Sequence, residues 1–421
     1  MEISKLLSGV DCACGKFHSC NITYVYIERD AARHLTEMCE KYSNILLVAD
    51  ENTYGVAGER SERYIKDKIK DRVIFSGKSV LIPNEDAISA VEAKLSGIDL
   101  IIGIGSGVIQ DLCKYVSHFN KIPYYVVATA PSMDGYASSG AAMITGGMKV
   151  TYSAKVPDGI VADTEVLKDA PLEMIKAGYG DIIGKYSALA DWKLANIVLG
   201  EYLCDYIYDL TYDMLGATLP LAEKLLLRDE ESVKVLMEAL VGVGIAMAFA
   251  GNSRPASGSE HHLSHFFEIT GIVDGEEYLP HGIDVAFSTI VTSRIREKLI
   301  SRPFPRVQFK QNREEYEREM KRVYKSVAEG CIALQDKVGV YTTSRIEKYL
   351  ECEEEIVREF KKLPTAREIE EILRRVGLDT KTFRETYSEA KLRDAIKYAK
   401  DLKDRYTVLV MYFDLYGTEE I

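Results

Sequence analysis

The sequence predicts an α/β domain over residues 1–165 followed by an all-α domain over residues 166–421, on three observations. From residue 22 to about 163, short β-rich runs alternate with amphipathic helical stretches, the pattern that successive βαβ units produce. Most of those runs are unbroken apolar strings, as expected of strands in a parallel sheet covered on both faces. From Pro171 onward almost every segment carries helical periodicity instead. With 421 residues, 47% of them hydrophobic, the chain has apolar material for more than one packed core.

The predicted strands are Ile22 to Ile27, Ile45 to Ala49, Val73 to Phe75, Leu100 to Ile104 and Tyr124 to Ala128. At Met143 to Val150, Thr145-Gly146-Gly147-Met148 sits between β-prone residues and reads as a hairpin laid over the edge of the sheet. Strands stop after Pro157 to Asp163. The predicted helices then include Met174 to Val198, Val233 to Phe249, Gly258 to Phe267 and Ile283 to Leu299. Thr365 followed by Glu368, behind Pro364 and ahead of Ile369 and Ile372, is a capping-box helix start. No repeat and no Pro/Ser-rich linker divides the halves, so they are expected to pack directly and leave a cleft.

Charge and cysteine usage exclude several classes. Lys plus Arg total 53 against 65 for Asp plus Glu, a formal charge of −12 that repels phosphate backbones and anionic membranes. No nucleic-acid partner is expected. The longest nearly unbroken apolar stretch, Ala239 to Gly251, falls short of the ~20 residues of a spanning helix, and no charged-then-apolar leader opens the chain. Eight cysteines are too few for a disulfide-stapled secreted domain. The expectation is a soluble cytoplasmic protein with reduced thiols and no membrane insertion.

Four constellations carry chemistry. Gly103-Ile104-Gly105-Ser106-Gly107-Val108-Ile109-Gln110-Asp111 follows an apolar strand and opens a helix, where backbone amides and the helix dipole favour a pyrophosphate. Asp50, ending an earlier strand, stands where a carboxylate accepts from a ribose diol, favouring NAD over NADP; a solvated strand-end Asp reads equally well. The next strand exit, Thr129 to Ser139, is a candidate cofactor and substrate loop, with a polar turn as its bland counterpart.

Four of the seven histidines, His261, His262, His265 and His281, lie within 21 residues, where an even spread predicts roughly 0.35. On a helix His261 and His265 share a face and His262 turns aside. Asp181 precedes an apolar helical run and requires a partner, as a metal ligand or as a helix cap. Cys12-Ala13-Cys14-Gly15-Lys16-Phe17-His18-Ser19-Cys20 has zinc-type ligands without Cys-x-x-Cys spacing and reads first as a hairpin with incidental thiols.

Taken together, the glycine turn, the Thr129 to Ser139 loop, Gly178-Tyr179-Gly180-Asp181, the run Ser253-Arg254-Pro255-Ala256-Ser257-Gly258-Ser259-Glu260-His261 and Pro280-His281-Gly282 resemble one superfamily. It comprises iron-containing alcohol dehydrogenases, glycerol dehydrogenases and dehydroquinate synthases. Within it, the Ser253 to His265 run resembles the sn-glycerol-1-phosphate dehydrogenases. The early Cys-x-Cys-Gly and the late Arg405-Tyr406-Thr407-Val408-Leu409 resemble their bacterial branch.

The resemblance implies a dehydroquinate synthase-like fold, with a dinucleotide-binding α/β domain and a helical domain holding a divalent metal in the cleft. It implies metal ligands at Asp181, His261 and His281. For NAD(H), or NADP(H), it implies Gly105, Ser106, Gly107, Asp111, Thr129, Ser132 and Ser138, with Asp50 on the ribose. Asp134, Asp181 and His265 would be catalytic, Asp134 and His265 facing substrate. Nickel, zinc and iron all suit such ligands. Two departures stand out: the turn reads Gly-Ser-Gly where relatives often have three glycines, and His262 beside His261 leaves the ligand choice open, with His261 preferred for its i+4 partner. The implied reaction is reversible reduction of dihydroxyacetone phosphate to sn-glycerol 1-phosphate, in a homodimer. A glycerol or polyol dehydrogenase and a dehydroquinate synthase-type lyase are the alternatives. Arg254 or Lys185 could meet the substrate phosphate.

Overall fold

The structure is a computed structural model that describes residues 3–146, 148–417 and 419. A hairpin of β1 (Val10–Asp11) and β2 (Phe17–His18) comes first. Then follow β3 (Tyr24–Glu28), β4 (Ile45–Asp50), β5 (Ile69–Phe75), β6 (Leu100–Gly105), β7 (Tyr124–Ala128), a second hairpin of β8 (Gly140–Thr145) and β9 (Met148–Ser153), and β10 (Gly159–Asp163). Six of these form one parallel sheet in the order β3-β10-β7-β6-β4-β5. Every residue of β6, β7 and β10 is buried, which is why these strands are unbroken apolar strings.

The edge strand β5 is different. It alternates between half-buried and exposed residues and starts at Ile69, where the apolar pattern suggested Val73. Lys70 and Arg72 face out, so its first half lacks the apolar signal that a central strand needs. From β4 the chain adds β5 on one side and β6 on the other. That reversal opens a crevice beyond the carboxyl ends of β4 and β6, the place where open α/β sheets take ligands.

The helices used below are α1 (Gly107–Asn120), α2 (Leu172–Ile183), α3 (Lys185–Leu199), α4 (Asp205–Thr218), α5 (Glu230–Ala250), α6 (Ser259–Asp274), α7 (His281–Leu299) and α8 (Val408–Tyr416). The run Met174 to Val198, expected as one helix, is interrupted at Gly184 into α2 and α3. The second hairpin pairs only with itself, and Tyr152 packs edge-on against Tyr115 of α1 at 5.0 Å. It lies on that helix rather than over the sheet edge; Gly147 of its turn is outside the described residues. The capping box at Thr365 is present, with Thr365 N donating to Glu368 Oε2 at 2.8 Å.

One sequence expectation needs correction. Among the described residues α5 is long and apolar enough to cross a membrane, because its 21 residues extend well ahead of Ala239; 72% of its most apolar window is buried inside the fold. It is a core helix of the kind that passes the same test.

The chain divides into two compact units, Met1–Ile182 with Asp209–Ser253, and Ile183–Tyr208 with Arg254–Ile421. The sheet ends at Asp163, whereas the units divide at 182/183. In the first unit, α2 meets the chain beyond β7 so closely that a Cβ on Gly178 would stand 1.8 Å from Pro131 O. In the second, the buried Asp191 of α3 accepts from Ser259 N and Val408 N, both at 2.6 Å, and so ties the starts of α6 and α8. Burial and the nearby Glu260 push this carboxyl up to about 6.

The close approach makes a paired prediction. Gly178→Ala should cost about 3 kcal/mol, because the obstacle is a backbone carbonyl. Gly216→Ala, exposed in α4 with open space around it, should stabilise by about 0.5–1 kcal/mol. Thermal unfolding should move the two melting temperatures in opposite directions.

Candidate active site

The glycine turn sits between β6 and α1. Ser106 is the N-cap residue of α1, extended in backbone, and makes no side-chain cap bond. The first amides of the helix therefore point into the crevice available to an anion. Gly105 answers to packing: a Cβ there would lie 2.7 Å from Ile109 Cβ. Beside Gly107 there is more space, with Met133 Cε 3.5 Å from where a Cβ would be. The buried Gln110 secures the turn by donating from Nε2 to Gly103 O at 2.9 Å and Gly105 O at 3.0 Å. Asp50, half-buried at the end of β4, caps the short helix Glu51–Thr53, accepting from Thr53 N at 2.8 Å.

The loop after β7 runs alongside. Thr129 N donates to Gly105 O at 3.3 Å, and Tyr136 Oη donates to Ala130 O at 2.6 Å with Ser132 Oγ 3.5 Å away. Asp134 is buried, and its N–H donates to Asp181 Oδ2 at 3.0 Å. Sequence reasoning missed the residue that holds this loop. Lys114 of α1 is fully buried; its Nζ donates to Gly135 O and Gly140 O at 2.8 Å and to Ser138 Oγ at 3.3 Å, and lies 3.6 Å from Asp111. Desolvation lowers its pKa. In the sequence, Asp111 and Lys114 look like an ordinary surface pair on a helix, and nothing marks the lysine as interior.

On α6 the i and i+4 rings of His261 and His265 have centroids 6.1 Å apart. His281, first residue of α7, lies 5.1 Å from His261 and 5.6 Å from His265. Each of two rings is held from behind: Glu260 Oε1, wholly buried, is 2.6 Å from His261 Nδ1, and Ser264 Oγ is 3.3 Å from His281 Nδ1. An engaged Nδ1 fixes the orientation of each ring. Asp181, in the last turn of α2, has no exposed surface. Asp181 belongs to the first compact unit, His261 and His281 to the second. A carboxylate with two imidazoles suits zinc, nickel or iron(II), with coordination positions left open.

His262 is elsewhere. It is fully buried, neither ring nitrogen has a hydrogen-bond partner, and its pKa is lowered by desolvation and then by the charges of Lys403, Arg405 and Arg254. The two phosphate candidates are committed to structure. Arg254 makes a two-pronged pair with Glu201 and donates to Tyr406 O at 2.8 Å, while Lys185 Nζ donates to Ala256 O at 3.0 Å.

Residues 26–171 match the family of iron-containing alcohol dehydrogenases. The chain is 37% identical over 259 residues to a glycerol-1-phosphate dehydrogenase (NAD(P)+) of Geobacillus thermodenitrificans, covering 59% of this chain and 63% of that protein. It is 31% identical over 293 residues to the protein of the same name from Halalkalibacterium halodurans, covering 68% and 73%. Among solved structures, an iron-containing alcohol dehydrogenase from Thermococcus thioreducens superposes with a TM-score of 0.61 over 93% of this chain and 97% of that one, at 15% identity. That likeness confirms the fold class expected from sequence.

Lys114→Met tests the loop anchor. It leaves the carbonyls of Gly135 and Gly140 without this donor, at a cost of about 2–4 kcal/mol. Amide exchange across residues 133–140 should speed up while that of β6 and β7 stays slow.

Proposed function

The chain belongs to the glycerol-1-phosphate dehydrogenase family, and from that premise we propose that it is an NAD(P)-linked, metal-dependent oxidoreductase that interconverts dihydroxyacetone phosphate and sn-glycerol 1-phosphate. The observation that carries this reading is the pair of imidazoles His261 and His281, ring centroids 5.1 Å apart, each with its Nδ1 engaged from behind. In this reading Asp181, His261 and His281 hold the divalent cation, nickel or zinc with iron also suited. Glu260 and Ser264 fix the two rings so that their second nitrogens face it. When bound, the cation supplies Lewis acidity toward a carbonyl oxygen and the dinucleotide supplies the hydride.

The remaining roles belong to the chain's own residues. The amides of Gly105, Ser106 and Gly107 receive the pyrophosphate, with Asp111, Thr129, Ser132 and Ser138 lining the same crevice. Asp50 accepts from the adenosine ribose with the carboxylate that also caps Glu51–Thr53. Asp134, held through its own N–H by Asp181, orients the substrate hydroxyls. His265 holds the proton that leaves or reaches the C2 oxygen, directly or through water. All eight cysteines are thiols rather than disulfides, which supports a reducing, cytoplasmic setting.

Purified protein loaded with nickel or zinc should oxidise sn-glycerol 1-phosphate and leave the 3-phosphate enantiomer essentially untouched. Equal turnover of unphosphorylated glycerol would make it a polyol dehydrogenase, and turnover without net change in nicotinamide absorbance would make it a lyase. Asp181→Ala should abolish activity with loss of the catalytic metal. Glu260→Gln, which keeps the side chain's shape but removes its charge, should weaken metal affinity about 10–100-fold, read by competition with a chelator.

A further inference from the structure

We propose that Tyr387 is a positioning residue for His281, setting where α7 begins and so how tightly its first side chain takes a divalent cation. The proposal rests on the reading of His281 as a metal ligand. His281 is the first residue of α7 and follows a largely exposed connection, residues 275–280, that leads out of α6. The N-cap residue is Pro280, which has no side-chain oxygen with which to receive the first amides of the helix. The helix start, and with it the 5.1 Å between the rings of His281 and His261, therefore needs fixing from outside its own sequence.

Tyr387 supplies it. Leu279 N donates to Tyr387 Oη at 2.9 Å, and Tyr387 Oη donates to Asp284, 2.8 Å from Oδ1 and 2.9 Å from Oδ2. One hydroxyl thus bridges Leu279 and Asp284, on either side of His281, acting as acceptor and donor at once. Asp284 N also donates to Pro280 O at 3.0 Å, so the carboxylate that Tyr387 holds belongs to the residue that closes the first turn around His281. Asp284 and Tyr387 are both buried, where water does not replace a broken bond.

Tyr387 is itself fixed. Its N–H donates to Phe383 O at 2.9 Å, ending the helix Thr380–Thr386, and the next residue, Ser388, caps the helix Glu389–Tyr398 by accepting from Lys391 N at 3.1 Å. Its ring stacks on Phe267, centroids 4.1 Å apart and planes at 14°, while Phe383 packs edge-on at 5.1 Å. Phe267 lies on α6, the helix that carries His261 and His265. One side chain therefore refers α7 to α6, its ring seated on the first helix and its hydroxyl on the second. Lys391 Nζ adds a bond to Glu276 Oε2 in the same connection, at 2.7 Å.

Tyr387→Phe keeps the ring and removes the hydroxyl. In the full chain it should weaken nickel binding about 10-fold, read by competition with a chelator, and shift the visible ligand-field bands of the cobalt(II)-loaded protein. Asp284→Ala removes the other end of the bridge and should show the same loss, with the double variant no weaker than the worse single one. Phe383→Leu loosens the same aromatic cluster but leaves the hydroxyl; it should lower the melting temperature without moving the affinity or the cobalt bands. His281→Ala should lose the metal altogether. Unchanged affinity in His281→Ala would remove the ligand assignment and this proposal with it. Loss of metal in His281→Ala alongside wild-type affinity and bands in Tyr387→Phe, or equal weakening by Phe383→Leu, would overturn the proposal alone.

Discussion

A carboxylate with no exposed surface has given up its hydration, a loss worth several kcal/mol unless other groups replace it. Asp181 is in that position, and the first unit is arranged around it. Its Oδ2 accepts the N–H of Asp134, so the charge is answered by the same loop that reaches toward the crevice. That loop is itself over-determined: Tyr136 closes it onto Ala130, and Lys114, another buried charge, satisfies two of its oxygens and the first carbonyl of β8. Two desolvated groups of opposite sign thus hold one short segment, each requiring the loop where it is.

The second unit follows similar logic with different parts. A histidine that is to bind through one nitrogen must have the other engaged, or its tautomer and orientation drift. Glu260 does this for His261 from the adjacent sequence position, and Ser264 does it for His281 across to the next helix. Asp191 then fixes where α6 begins by accepting Ser259 N, so the histidine helix starts at a set height. Gly258 is part of that fit, since a Cβ there would meet Asp191 Oδ2 at 2.6 Å.

Much of this was legible in the residues and some was not, for physical reasons. Central strands such as Leu100–Gly105 declare themselves because burial on both faces leaves no polar position, whereas β5, only half-buried on one face, hides half its length behind Lys70 and Arg72. The i, i+4 spacing of His261 and His265 is a local signal and reads directly, as does the Thr365 capping box. Partnerships across long loops are another matter. Lys114 and Glu260 were invisible for a related reason: a buried charge and a surface charge look identical until the groups around them are known. Arg254, a candidate phosphate contact that no spacing singled out, is paired with Glu201.

The approach of α2 to the chain at Pro131 reaches beyond packing. Main chain touching main chain leaves no rotamer to relax and no flexible stem to absorb vibration. The spacing between the carboxylate helix and the strand-exit loop is accordingly set by main-chain contact rather than by side-chain rotamers. Side-chain-mediated spacings widen with thermal motion as rotamers become populated; this one has no such soft coordinate, and its dimensions should hold until the helix itself begins to unravel.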